Sequence, residues 1–174
     1  LVEGDIILRE SDLRSAPHSP KLRIAEVEQY NTFNLVNGPR TITVSTSGNN
    51  FPAGLSNAVN NAIARYNAEN LGLTFVRVAS GGNINIKLVN SRQYIASAGF
   101  PSGGNPYGTV SYAKAYATGY SDGFMTTVVT HEMGHCIGFR HTDYMNRAYS
   151  CGSGGNEGQE TSGVGAVHIP GTPT

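Results

Sequence analysis

The sequence predicts an α+β fold with two long helices on a twisted mixed sheet, and three patterns support that prediction. Residues 41–45 and 83–88 alternate apolar and polar side chains, as strands with one buried face do. In residues 49–70 the apolar side chains recur every three or four residues instead, which indicates an amphipathic helix. Residues 122–139 form a second long helical stretch. The chain of 174 residues is long enough for one domain with its own core.

The elements follow one another in a simple order. Ile42 and Val44 share one face of the first clear strand, and Pro52 suits the first turn of the helix that follows. The apolar stripe of this helix has five members: Leu55, Val59, Ala62, Ile63 and Tyr66. Gly72 lies just beyond its end. Three more strands are predicted, at 73–78, 83–88 and 109–116. Residues 97–108 are rich in turn formers and are expected to form a loop.

The two ends of the chain differ from the middle. Residues 1–40 are predicted to be an N-terminal segment resembling a pro-segment, with one strand in 24–40, and residues 41–174 the main domain. Residues 150–174 are rich in Gly, Ser and Thr and bury little apolar surface. They are either a loop pinned by its neighbours or a mobile, irregular C-terminal segment.

Charge and composition exclude some classes of partner. Twelve basic and twelve acidic residues give zero net charge, and the basic residues, Arg140 among them, are scattered and expected to be solvated. Neither nucleic acid nor an anionic membrane is therefore an expected partner. No apolar run approaches the ~20 residues that span a bilayer. Low charge (14%) and a start at Leu1 without Met indicate a processed, secreted protein.

The chain has two cysteines, Cys136 and Cys151, and the expectation of export affects how they are interpreted. An even number of cysteines in a secreted protein favours a disulfide, so these two are predicted to pair. The alternatives are two free thiols or a cysteine partner outside this chain.

The stretch HEMGHCIGFRH, residues 131–141, carries the chemistry. His131 and His135 lie one helical turn apart on one face and can both reach one Zn²⁺. Glu132 can lie beside the metal without binding it, as a general base acting on zinc-activated water does. Gly138 suits a left-handed helix end, after which His141 can return to the same metal as a third ligand. Three histidines leave one position open for water.

Two other interpretations remain. A zinc-bearing binding module with little or no hydrolytic activity would keep the histidines, but it has no use for a general base at position 132, so Glu132 favours the enzyme. The motif could also be an accident on an amphipathic helix, in which case no metal is bound.

The motif HExxHxxGxxH resembles that of the metzincin clan of zinc endopeptidases. HEMGHCIGFRHTD is most similar to the bacterial dual-action HEIGH metallopeptidases, with the astacins as more distant kin, over roughly residues 40–145. The resemblance implies a zinc endopeptidase that acts on peptide or protein substrates, with the zinc helix at the base of the cleft. The oligomeric state is open, and a monomer is the default expectation. It also implies that GTVSYAK, residues 108–114, is the edge strand that pairs with extended substrate.

A second similarity concerns latency. VEGDI at the start is similar to the pro-segment motif of astacins, in which an aspartate occupies the water position on zinc; this implies that Asp5 holds a latent form. The alternative is an ordinary turn residue. Asp5→Ala distinguishes the two, since only loss of a zinc ligand would raise basal cleavage.

The chain departs from the clan pattern after the third histidine. The clan has a methionine turn beneath the zinc, and here only Met145 follows His141. Either Met145 serves in a shortened turn, or the family lacks the turn, or the turn lies on a missing C-terminal piece; the third is the expectation, with that fragment as a possible partner. Tyr144 is a candidate for a hydrogen bond to the transition state, and Asp143 for orienting an imidazole; packing and turn roles are the alternatives.

Overall fold

Two sheets and two long helices make up the part of the chain that the computed structural model describes, residues 29–146 and 165–172. The predicted α+β class, with two long helices and a mixed sheet, is confirmed. The strands are β1 (Tyr30–Asn31), β2 (Arg40–Ser47), β3 (Leu73–Arg77), β4 (Ile84–Val89), β5 (Ala96–Ser97), β6 (Thr109–Ala113), β7 (Phe139–Arg140) and β8 (Val167–His168). The helices are α1 (Ala53–Ala68) and α2 (Asp122–Ile137), and a short 3₁₀ turn, Lys114–Tyr116, follows β6.

The larger sheet has five strands in the order β3-β2-β4-β6-β5. Its first four strands are parallel, and β5 runs antiparallel to β6. Alternation gives each strand one buried face, which packs against the two helices to form the core. The fully buried members of that face on β2 and β4 are Ile42, Val44, Ile84 and Ile86.

Helix α1 packs directly on α2, and its predicted stripe is buried. Pro52 immediately precedes α1, so its fixed backbone angle starts the helix without occupying the first turn. The hydroxyl of Ser121 accepts a hydrogen bond from the backbone N–H of Phe124, which caps α2 at its N-terminus. The side chains of α2 are buried on most sides, as expected of a helix that packs against both α1 and the sheet.

The smaller sheet joins three distant parts of the chain in the order β7-β1-β8, with both pairs antiparallel. Tyr30 in β1 lies opposite Arg140 in β7 and opposite His168 in β8. The described end of the C-terminal segment is therefore a stretch pinned by its neighbours. Residues 150–164 of that segment lie outside the described residues. The division of the chain at residue 40 stays a prediction.

The predicted edge strand is wrong. Residues 109–113 form β6, which is flanked by β4 on one side and by β5 on the other, so β5 is the strand at this edge. The sequence did not indicate β5 because two residues carry no periodicity. The predicted strand also ends early, since the 3₁₀ turn takes residues 114–116.

Candidate metal centre

Three histidine nitrogens converge at the end of α2. The Nε2 atom of His135 lies 2.9 Å from that of His131 and 3.1 Å from that of His141, and the remaining pair is 3.2 Å apart. These are the three residues that the motif predicted as ligands, and among the described residues they form the one group of histidine, cysteine or acidic side chains close enough to hold a metal ion.

This triangle has the dimensions of a metal site. Ligands ~2.0–2.1 Å from a tetrahedral zinc ion lie about 3.3–3.4 Å from one another, so the observed triangle is only slightly tighter. Hydrogen bonds alone cannot satisfy all three contacts, because each nitrogen either donates or accepts and two of the three must share a role. A cation that receives three lone pairs satisfies them all.

The tautomer of His135 supports the same conclusion. Its Nδ1 atom lies 2.8 Å from the carbonyl oxygen of Phe139. A carbonyl only accepts, so Nδ1 carries the proton and donates it. In the neutral ring Nε2 then holds a lone pair that points into the triangle, which is the arrangement of a metal-binding histidine.

Gly138 accounts for the return of His141. It has φ +116°, in the left-handed region, and its N–H donates to the carbonyls of Gly134 and His135, which ends α2. The chain then reverses through β7, where it pairs with β1, and the backbone N–H of Thr32 donates to the Gly138 carbonyl at 2.8 Å. His141 thereby comes back beside His131 and is itself buried.

Glu132 is fully buried next to the first ligand. Its carboxylate lies near enough to Tyr112 in β6 to affect the phenol. Burial is the largest cause of a raised pKa of Tyr112, followed by Tyr120 and then by the Glu132 charge. Tyr112 therefore stays neutral beside Glu132.

Comparison with protein families identifies this architecture. The family model described as "Dual-action HEIGH metallo-peptidase" matches residues 1–174. The chain belongs to this family. The predicted recognition and the predicted class of enzyme are confirmed at the level of the family, and a metal ion is the group that such a centre holds.

Two solved structures resemble this HEIGH metallo-peptidase, both of myroilysin. One is 20% identical with a TM-score of 0.46, and covers 61% of this chain and 46% of its own. The other is 20% identical with a TM-score of 0.47, covering 60% and 44%. The chain thus spans less than half the length of these structures. No curated protein matches it.

Two residues that lie near the centre of this HEIGH metallo-peptidase were not identified from the sequence. The ring of Phe100 stands edge-on to His135, with centroids 5.4 Å apart. The guanidinium of Arg140 lies over the same Phe100 ring, 5.7 Å from its centroid. The expectation that Arg140 is solvated is wrong, since the side chain is only 8% exposed. Its place inside the motif, between Phe139 and His141, was the available signal.

The other candidate residues are not part of the histidine triangle. Tyr144 packs edge-on against Tyr30, with centroids 4.9 Å apart, and its role in catalysis stays a prediction. Asp143 is buried in the turn after His141, which leaves both of its predicted roles open. Met145 is half-buried in the same turn. Asp5, and the predicted Cys136–Cys151 pair through Cys151, lie outside the described residues.

Proposed function

We propose that this HEIGH metallo-peptidase is a zinc endopeptidase in which His131, His135 and His141 hold the metal and Glu132 is the general base. The observation that carries the proposal is the convergence of three Nε2 atoms within 3.2 Å of one another. Three imidazoles suit zinc, and a set of three protein ligands leaves a position open for water and substrate.

The chain's own residues then have distinct tasks. When bound, zinc would supply Lewis acidity that polarises a carbonyl and makes water a nucleophile near neutral pH. The carboxylate of Glu132 accepts the proton of the attacking water and returns it to the leaving amine. Glu132 is fully buried, which limits the positions that its carboxylate can take.

We propose the outer edge of β5 as the place where extended substrate binds. This strand ends the five-stranded sheet and also contacts α2, which carries two of the histidines. The outer edge of a sheet can offer backbone hydrogen bonds to a peptide of almost any sequence. Side-chain preference would come from neighbouring loops, including 98–108, whose Tyr107 N–H donates to the carbonyl of Cys136.

Glu132→Gln tests the proposal, because it removes the base and leaves the three histidines. We expect one zinc per chain in both proteins and a fall in cleavage of unfolded casein by about 10²- to 10⁴-fold in the variant. Glu69→Gln, an exposed change after α1, is the matched control and should cleave like the wild type. Full activity of Glu132→Gln would contradict the mechanism. Bound zinc without cleavage in the wild type would favour the binding module.

Latency and export are further proposals. Asp5 as the ligand of a latent form is supported only by its similarity to the astacin pro-segment motif, and secretion only by composition. Among the described residues no helix is long and apolar enough to cross a membrane. Measuring the protein in culture medium against cell extract tests export, which an exclusively intracellular pool would contradict.

A further inference from the structure

His141 needs support that the other two histidines do not. His131 and His135 lie within α2, whose backbone hydrogen bonds fix their separation. His141 follows a two-residue strand and precedes a turn, so no helix holds it. Pairing of β7 with β1 fixes the backbone on one side of His141.

The side chain of Arg140 provides a second support next to His141. Its guanidinium carbon lies 5.7 Å from the ring centroid of Phe100 and 5.8 Å from that of Tyr144. Its Nη1 donates to the carbonyl oxygen of Gly165 at 2.6 Å. Burying a guanidinium is costly unless such contacts compensate, so the side chain is held in one position by the rings and the carbonyl together.

Phe100 extends this arrangement to the second histidine. One ring contacts the Arg140 guanidinium and stands edge-on to the His135 imidazole, with an interplanar angle of 82°. A continuous set of contacts therefore runs from His135 through Phe100 to Arg140. The backbone carries it one residue further, to His141.

We propose that Arg140 is a positioning residue for the metal centre, which fixes His141 relative to His135 through Phe100 and Gly165. This inference rests on the proposed function, since it assumes that the histidines bind zinc. Arg140 acts through other residues. Its loss should loosen the third ligand, raising the zinc dissociation constant and changing the coordination geometry.

Arg140→Met tests this inference, because methionine keeps β7 paired and keeps an apolar stem between the two rings. We would measure zinc affinity by competition with a chromogenic chelator, and coordination by the visible spectrum of the cobalt(II)-substituted protein, which responds to ligand number and geometry. We expect affinity to fall by about 10- to 100-fold, as for other outer partners of metal ligands, and the cobalt bands to weaken and shift.

Two controls separate positioning from general loss of stability. Val59→Ala removes a buried side chain that α1 contributes to the hydrophobic core, far from the motif in sequence. It should lower Tm while leaving zinc affinity and the cobalt spectrum unchanged. Arg65→Met makes the same exchange at an exposed arginine of α1 and should leave zinc affinity and the cobalt spectrum unchanged.

The outcomes discriminate. Weaker zinc binding and an altered cobalt spectrum in Arg140→Met alone would support the inference, whereas wild-type values would overturn it while leaving the zinc proposal intact. If Arg140→Met does not fold, Arg140→Lys decides in the same way, because lysine keeps the charge but lacks the planar group that stacks on both rings. Failure of the wild type to bind zinc would overturn the inference together with the proposed function.

Discussion

Gly138 decides whether the third histidine can return to the other two. Two separate constraints act on it. Its φ of +116° is one that L side chains rarely adopt, and a Cβ there would lie 2.5 Å from Cδ2 of Leu35. The sequence indicated the first constraint through the motif, but the second depends on the path of residues 29–38, which no local pattern specifies.

Gly138→Ala should therefore be more damaging than an ordinary replacement of a left-handed glycine. Gly119, with φ +83°, is the matched control: a Cβ there would have no atom within 4 Å, so it has the strain without the crowding. We expect Gly119→Ala to cost about 1–2 kcal/mol of unfolding free energy and Gly138→Ala about 1–3 kcal/mol more, measured by urea denaturation. Equal losses of unfolding free energy in the two variants would contradict this expectation, because they would show that the Leu35 side chain moves aside without cost.

At the residue scale, the sequence predicted the part of the site that lies in one motif. His131, Glu132, His135 and His141 are where the spacing puts them, because a helix and one turn determine their positions. Arg140 was misjudged because charge alone suggests solvent exposure. Its burial depends on the Gly165 carbonyl, which comes from 25 residues further along the chain.

The two long helices approach each other closely at Gly134. The hydroxyl of Tyr66 in α1 donates to the carbonyl of Thr130 in α2 at 2.7 Å, and a Cβ on Gly134 would lie 2.9 Å from that hydroxyl oxygen. Burial raises the pKa of Tyr66, so the phenol remains a donor. Gly134, between the two helical histidines, thus makes room for α1.

A double-mutant cycle tests this packing. Gly134→Ala should destabilise the protein by about 1–2 kcal/mol, although alanine is favoured in helices by about 1 kcal/mol. Tyr66→Phe should cost about 0.5–1.5 kcal/mol through the lost hydrogen bond. In the Tyr66→Phe background Gly134→Ala should become neutral or stabilising, because the crowded oxygen is gone. Additive losses in urea denaturation would contradict the contact.

Elements with enough length to show a period were predicted well. The apolar stripe from Leu55 to Tyr66 predicted α1, and the alternation of apolar and polar side chains predicted β2 and β4. The two-residue strands β5, β7 and β8 could not be placed, since each exists only through its partner across the sheet. Strand β1 lies within residues 24–40, where one strand was expected without narrower bounds. Assigning the edge to residues 108–114 failed for the same reason.

At the scale of the molecule, the β7-β1-β8 sheet joins the metal centre to both described ends of the chain. Thr32 donates to the carbonyl of Gly138, and Ile169 donates to that of Gln29. The five-stranded sheet has its own bonds and a core of apolar side chains. The metal should therefore stabilise the small sheet more than the large one.

Hydrogen exchange with and without chelator tests this coupling. Removing zinc should speed exchange at the amides of Thr32 and Ile169, which we expect to open as one local unit. Exchange at Asn85, whose N–H donates to Gly108 in the large sheet, should change little and serves as the internal control. Equal acceleration at all three amides would mean that the metal stabilises the fold uniformly, contrary to this expectation.

X-ray absorption at the zinc edge of the loaded protein tests the central claim most directly. We expect one zinc per chain, with three imidazole nitrogens at ~2.0–2.1 Å and one oxygen ligand from water. A sulfur neighbour at ~2.3 Å would mean that a cysteine binds the metal. That result, or the absence of stoichiometric zinc, would contradict a centre built from His131, His135 and His141.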